Sequence, residues 1–159
     1  MYAKKNYRFM TLLVFLILVL LLVIFYVFYV HIPYKRHIAD AAEIRNQIIV
    51  KHKLKYDGYF NEYDSDETYY IIKVKNKNTS TYIAYDEAYK KVDEYSGKTV
   101  EDVNVIASIK NKYKVEVKSV QIGYENKSFV YYTSYQTDDH LYYFYYGLSN
   151  GKLIKAYIL

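Results

Sequence analysis

The chain has 159 residues, a formal net charge of +5 and no cysteine. The missing cysteine excludes a disulfide framework, a thiol nucleophile, a thiolate metal site and a lipid-modified cysteine anchor. Three of the 22 basic residues, Lys4, Lys5 and Arg8, precede the first apolar run, whereas all 17 acidic residues follow it. The remainder therefore carries only about +2, too little for the concentrated basic stripe that nucleic acid requires, and no nucleic-acid partner is expected.

From Phe9 to Val30 there are 22 residues without a charge, nearly all Leu, Val, Ile, Phe or Tyr. As a helix this run is about 33 Å long, enough for a hydrocarbon core of about 30 Å. Tyr26 and Tyr29 lie at one end, where amphipathic rings favour the interface. Pro33 follows, where it is expected to stop the helix. A cleaved signal peptide is the competing reading. The run is longer than the usual ~7–15 apolar residues, and no small-x-small site follows it directly. Lys4, Lys5 and Arg8 outweigh Lys35 and Arg36, which Asp40 and Glu43 dilute. The positive-inside rule then makes residues 1–8 a cytoplasmic tail, 9–30 a single membrane span and the rest extracytoplasmic. An external domain without disulfides suits a bacterial cell envelope.

Two later segments have helical periodicity. In "HIADAAEIRNQIIVKHKLKY", Ile38, Ala41, Ile44 and Ile48 recur at steps of three and four. In "TVEDVNVIASIKNKYKV", Val103, Ile106 and Tyr113 follow the same step, Thr99 is the expected N-cap, and Lys110, Lys112 and Lys114 suit the C-terminal end of the dipole. Each helix is followed by strand-like runs. The first set is "YDGYFNEYDSD", "ETYYIIKVKNK", "STYIAYDE" and "YKKVDEY". The second is "VEVKSVQIGYENK", "SFVYYTSYQTDD", "HLYYFYYGLS" and "KLIKAYIL". Turns are expected at Asp64–Asp66, Asn76–Asn78, Glu125–Lys127, Asp138–Asp139 and Asn150–Gly151, the last a strong hairpin signal.

The order helix–strands, helix–strands points to duplication. A shift of 62 residues lays Ala41, Ile44 and Ile48 on Val103, Ile106 and Lys110, Tyr69–Tyr70 on Tyr131–Tyr132, Tyr82 on Phe144 and Tyr95 on Tyr157. The expected fold class is α+β, with one unit over residues 37–96 and a second over 97–159. In each, a helix packs on an antiparallel sheet. At about 60 residues apiece, the units are small enough to need each other's surface.

There are 24 tyrosines, and part of that load follows from AT-rich codons, which also raise Lys, Asn and Ile. In "HLYYFYYG", alternation puts Tyr142, Phe144 and Tyr146 on one face and Leu141, Tyr143 and Tyr145 on the other. One face is core. Alternation does not fix which face meets the helix. Tyr132, Tyr143 and Tyr145, taken together on the face away from it, are the candidate partner surface, since tyrosine combines a rigid ring with a wet hydroxyl. The alternative is that these rings are internal packing.

No enzyme signature is present. The five glycines form no phosphate loop, and there is no nucleophile elbow. His52 reads as a solvated helix end, and Asp138–Asp139–His140 as a hairpin turn that lacks the second cluster a metal shell needs. The carboxylate pairs Asp66–Glu67, Asp86–Glu87, Asp93–Glu94 and Glu101–Asp102 read as turn and capping residues. No metal, cofactor or catalytic residue is assigned.

The succession of an apolar anchor, "AEIRNQII", "YYIIKV", "TYIAYDE", "TVEDVNVIASIKNKY" and "YYFYYGLSNGKLIKAY" resembles the TseB (YpmB-like) family of Gram-positive envelope proteins. The resemblance runs over nearly the whole chain, and its most family-like piece is the Gly151–Lys152 step. It implies two tandem cystatin-like units of PepSY type. It also implies a membrane-anchored, non-enzymatic regulator of cell wall elongation whose partner is a class B penicillin-binding protein. The alternative is a PepSY-type inhibitor or propeptide-like module for an extracellular protease. A pilin-like subunit would need a Gly-containing processing site that residues 1–12 lack.

Overall fold

The computed structural model describes residues 3–76 and 79–159. Met1 and Tyr2 of the expected tail, and Lys77 and Asn78 of an expected turn, lie outside the described residues. The chain divides into two units, Met1–Ile44 and Arg45–Leu159.

In the first unit, α1 (Ala3–Tyr26) leads into a π-helical segment (Val27–His31) and then into α2 (Ile32–His52). Pro33 does not stop the helix. The Ile32 N–H reaches back to the Val27 carbonyl, five residues earlier. That wider turn immediately before Pro33 relieves the crowding a proline ring imposes on the preceding helical turn. One described helix, Tyr7–His52, is long and apolar enough to cross a membrane.

The second unit begins with the last turns of α2. Sheet one is an antiparallel meander of β1 (Tyr56–Asp64), β2 (Thr68–Asn76), β3 (Thr79–Tyr85) and β4 (Lys91–Tyr95). Gly58 sits at φ +78° where β1 slips against β2, a conformation glycine adopts at little steric cost. The pairings Tyr70↔Tyr85 and Ile72↔Ile83 put these four side chains on one face. Ile48 of α2 is fully buried, and the His52 ring lies 4.7 Å from that of Tyr85. His52 is therefore packed, with Nε2 2.8 Å from the Tyr89 carbonyl oxygen, and is not the solvated helix end its basic neighbours suggested.

Tyr63, Ile71 and Ala84 share the opposite face of sheet one and join a second core. Sheet one is thus covered on both sides, which explains why consecutive residues Ile71 and Ile72 are both fully buried.

A connection leads to α3 (Asp102–Tyr113), with Glu101 at the N-cap and Lys114 left-handed at the C-cap. The cap is Glu101, not Thr99, and no side chain caps the end. Asp102 in the first turn and Lys110 and Lys112 in the last suit the helix dipole. Sheet two follows as β5 (Gln121–Glu125), β6 (Ser128–Gln136), β7 (Leu141–Gly147) and β8 (Leu153–Ile158), again in meander order. Val105 and Ile109 of α3 pack with Tyr131, Phe144 and Tyr146, and the Tyr113 ring lies 4.6 Å from Phe144. Burying Ile109 completely contributes about 1.5–3 kcal/mol. β7 and β8 form the hairpin expected at Asn150–Gly151, joined by a loop over 148–152 rather than a two-residue turn, with Gly151 at φ +61°.

The two sheets repeat one pattern, at a shift of 61 rather than 62. Ile48 and Ile109 are equivalent, as are Tyr70 and Tyr131, Ile83 and Phe144, and Tyr85 and Tyr146. A bulge falls at the same place in both sheets, between Ala84 and Tyr85 and between Tyr145 and Tyr146. Through β2 and β3, a shift of 62 would carry each helix-facing side chain to the other face. Past the bulge, in the last strand of each repeat, the spacing does become 62, as at Tyr95 and Tyr157.

Candidate partner surface

The face of sheet two away from α3 is built by alternation. Gln121 pairs with Tyr132, Tyr132 with Tyr145, Tyr145 with Lys155, and Tyr143 with both Ser134 and Tyr157. Paired residues in an antiparallel sheet point to one side, so Tyr132, Tyr143, Tyr145, Lys155 and Tyr157 share this face.

Its β5 end is covered by β1. The Tyr63 ring lies 4.7 Å from that of Tyr132, edge to face, and passes directly over Gly123. A Cβ at Gly123 would come within 2.5 Å of the Tyr63 ring. The Tyr63 hydroxyl donates to Glu125 Oε2, and Lys155 Nζ donates to Glu125 Oε1 at 2.6 Å. The Tyr132 hydroxyl donates to Gln121 Oε1 at 2.7 Å and accepts from Asn61 Nδ2 at 3.0 Å. The Ile122 N–H donates to the Tyr59 hydroxyl at 2.7 Å. These bonds tie β1 to β5 across about sixty residues of chain.

The other end is open. Lys155 Nζ lies 4.3 Å from the Tyr145 ring centroid and 5.3 Å from that of Tyr157, so one ammonium is shared between Glu125 and two aromatic faces. The Tyr145 and Tyr157 rings meet edge to face at 6.2 Å. The three tyrosines named from sequence share the face but not its environment. All three are partly buried: Tyr132 is held by its bonds to β1, Tyr145 lies under Lys155, and Tyr143 pairs with Tyr157 toward the open side. Tyr157 is 49% exposed and belongs to the same patch. Its register with Tyr143 would have revealed it, but a register is not written in the residues of one strand.

The electrostatics are those of a fixed structure. Burial pushes the Glu125 carboxyl up, but Lys155 and Tyr63 outweigh that and hold it below its ordinary value. Burial lowers the Lys155 ammonium, and the bond to Glu125 more than restores it. Burial raises the phenols of Tyr59, Tyr63, Tyr132 and Tyr145. Burial and the Asp93 carboxylate push Tyr124 up to about 12. These phenols are thus moved away from neutrality, whereas proton transfer needs groups near it. Asp93 and Glu94, expected beside a turn, lie within β4, and Asp93 accepts from the Tyr124 hydroxyl at 3.0 Å. Asp138 and Asp139 lie in the bend between β6 and β7, where the His140 N–H donates to Thr137 Oγ1 at 3.0 Å. Among the described residues no group of three or more His, Asp or Glu is placed to hold a metal ion.

No protein-family model and no curated protein matches the sequence. Among solved structures the chain is similar to the YpmB protein from Bacillus subtilis, at 18% identity and a TM-score of 0.55, over 65% of this chain and 84% of that one. The chain has a YpmB-like α+β fold, with one long apolar N-terminal helix and two four-stranded antiparallel sheets.

Proposed function

We propose that this chain is a single-pass membrane protein whose C-terminal sheets lie outside the cell and act by binding, without catalysis, as a regulator of cell wall elongation. The partner proposed is a class B penicillin-binding protein, bound through the open half of the second sheet's tyrosine face. The observation that carries a binding role is the contrast within that face. Tyr132 and Glu125 are committed to β1, whereas Tyr145 and Tyr157 present rings to a shared ammonium, with Tyr143 next to Tyr157 in register. Tyrosine rings are enriched at the centres of interfaces. The YpmB-like fold and the apolar helix support the family reading and the anchored topology. Confinement to a membrane raises the effective concentration of two anchored partners, so modest contacts suffice.

The test is co-purification of the tagged full-length chain from solubilised membranes. Tyr143→Ala should reduce recovery of the transpeptidase at least fivefold without changing the near-ultraviolet dichroism of the tyrosines. Unchanged recovery would contradict the reading. Capture of an extracellular protease instead would favour the inhibitor reading.

A further inference from the structure

The last strand leaves one edge of sheet two unpaired, and the two repeats differ sharply there. In sheet one the corresponding edge is β4, "KVDEY", with Lys91, Asp93 and Glu94 along it. In sheet two it is β8, "LIKAYI". Its single charge, Lys155, is neutralised by Glu125. Ile154, Tyr157 and Ile158 are each about half exposed. Charged residues are the ordinary protection of a free edge, so the first repeat has the protection and the second lacks it.

The free backbone groups can be assigned. Leu141 and Leu159 exchange both backbone hydrogen bonds, each at 2.9 Å. Bonded and non-bonded pairs alternate along an antiparallel ladder. Lys155 and Tyr157 therefore direct their N–H and C=O groups to β7, while Ala156 and Ile158 direct theirs outward. The bulge lies before Lys155, so this stretch is regular.

We propose that β8 pairs antiparallel with β8 of a second copy of the chain, about a two-fold axis at Ala156. This register uses the outward groups as bonded pairs, Ala156 opposite Ala156. It sets each Lys155 opposite Tyr157 of the other copy, an ammonium against an electron-rich ring. It also brings Ile158 to the exposed Ile154. No uncompensated like charges are opposed, because each lysine keeps its own Glu125. The same operation on β4 would place Glu94, the position equivalent to Ala156, against its own copy, with two carboxylates face to face. The pairing leaves Tyr143 uncovered, although it draws on Lys155 and Tyr157 of the same patch.

The chain has no cysteine, so single-cysteine variants of the full-length protein in lipid nanodiscs or native membranes report cleanly. Bonded antiparallel partners have Cα atoms about 5.5 Å apart, within the range of about 4.4–6.8 Å a disulfide spans. Under mild oxidation Ala156→Cys should accumulate as a covalent dimer, at least tenfold more than Glu94→Cys. Adding Ile158→Pro removes only an outward N–H, which an edge strand tolerates, and should abolish the cross-link. Equal cross-linking at the two cysteines, or none at Ala156→Cys, overturns the proposal. The comparison of the two cysteines decides the matter even where proline unsettles the strand.

Discussion

Glu125 is the most informative side chain to remove. It is 16% exposed and accepts from two donors at once, the Tyr63 hydroxyl and Lys155 Nζ. Tyr63 is only 2% exposed, so its hydroxyl has no ready access to water. Glu125→Ala loses two charge-assisted bonds and strands a buried hydroxyl, for a loss of about 3 kcal/mol. Glu125→Gln keeps an acceptor for Tyr63 and loses only the charge, for about 1–2 kcal/mol. The effect has a pH signature. Glu125 titrates below its ordinary value of 4.5, so its contribution is fully present above about 4.5 and is lost as pH falls through the depressed value. Glu125→Gln should therefore flatten the acid limb of the stability curve. Urea unfolding of the full-length chain in mild detergent, followed by near-ultraviolet dichroism, reads this cleanly because tyrosine dominates that signal and there is no tryptophan. A loss under about 0.5 kcal/mol for Glu125→Ala would place it among ordinary surface substitutions and refute the reasoning.

Gly123→Ala places a Cβ within 2.5 Å of the Tyr63 ring, and should lower the urea midpoint by the equivalent of about 1–3 kcal/mol. Lys127 sits at φ +59° in the two-residue turn between β5 and β6. Lys127→Gly should raise thermal stability by about 1 kcal/mol, and no gain would count against strain at that turn. Ile48→Ala and Ile109→Ala empty equivalent, fully buried sites and should each cost about 2–5 kcal/mol in the same unfolding assay.

Much of this fold is written locally. The alternation in β7 and the turn residues at Asn126 and Asp138 follow from side-chain periodicity and left-handed preferences. The step through Val103, Ile106 and Tyr113, however, misplaces the core face of α3, where Val103 is 58% exposed and Val105 and Ile109 are fully buried. The repeat is legible too, but its register is not. Identities between the halves are sparse, and a slip of one residue exchanges the faces. Only the shared burial of Ile48 with Ile109 and the shared bulge fix the shift at 61. Pro33 misleads because the wider turn that tolerates it belongs to residues 27–31, whose side chains carry no signal for a π-helical turn. Tyr63 and Glu125 form the centre of the contact between β1 and β5, yet each sits in an unremarkable amphipathic strand 62 positions from the other. Long-range pairs of that kind leave no local signal.

The proposal that the open tyrosine face binds a cell wall transpeptidase is tested most directly by in-cell photocrosslinking. A photoreactive residue at Tyr143 in the full-length chain should capture a class B penicillin-binding protein, while the same residue at Phe144, fully buried against α3, should capture only this chain. Transpeptidase recovered from neither position, or equally from both, would contradict the account.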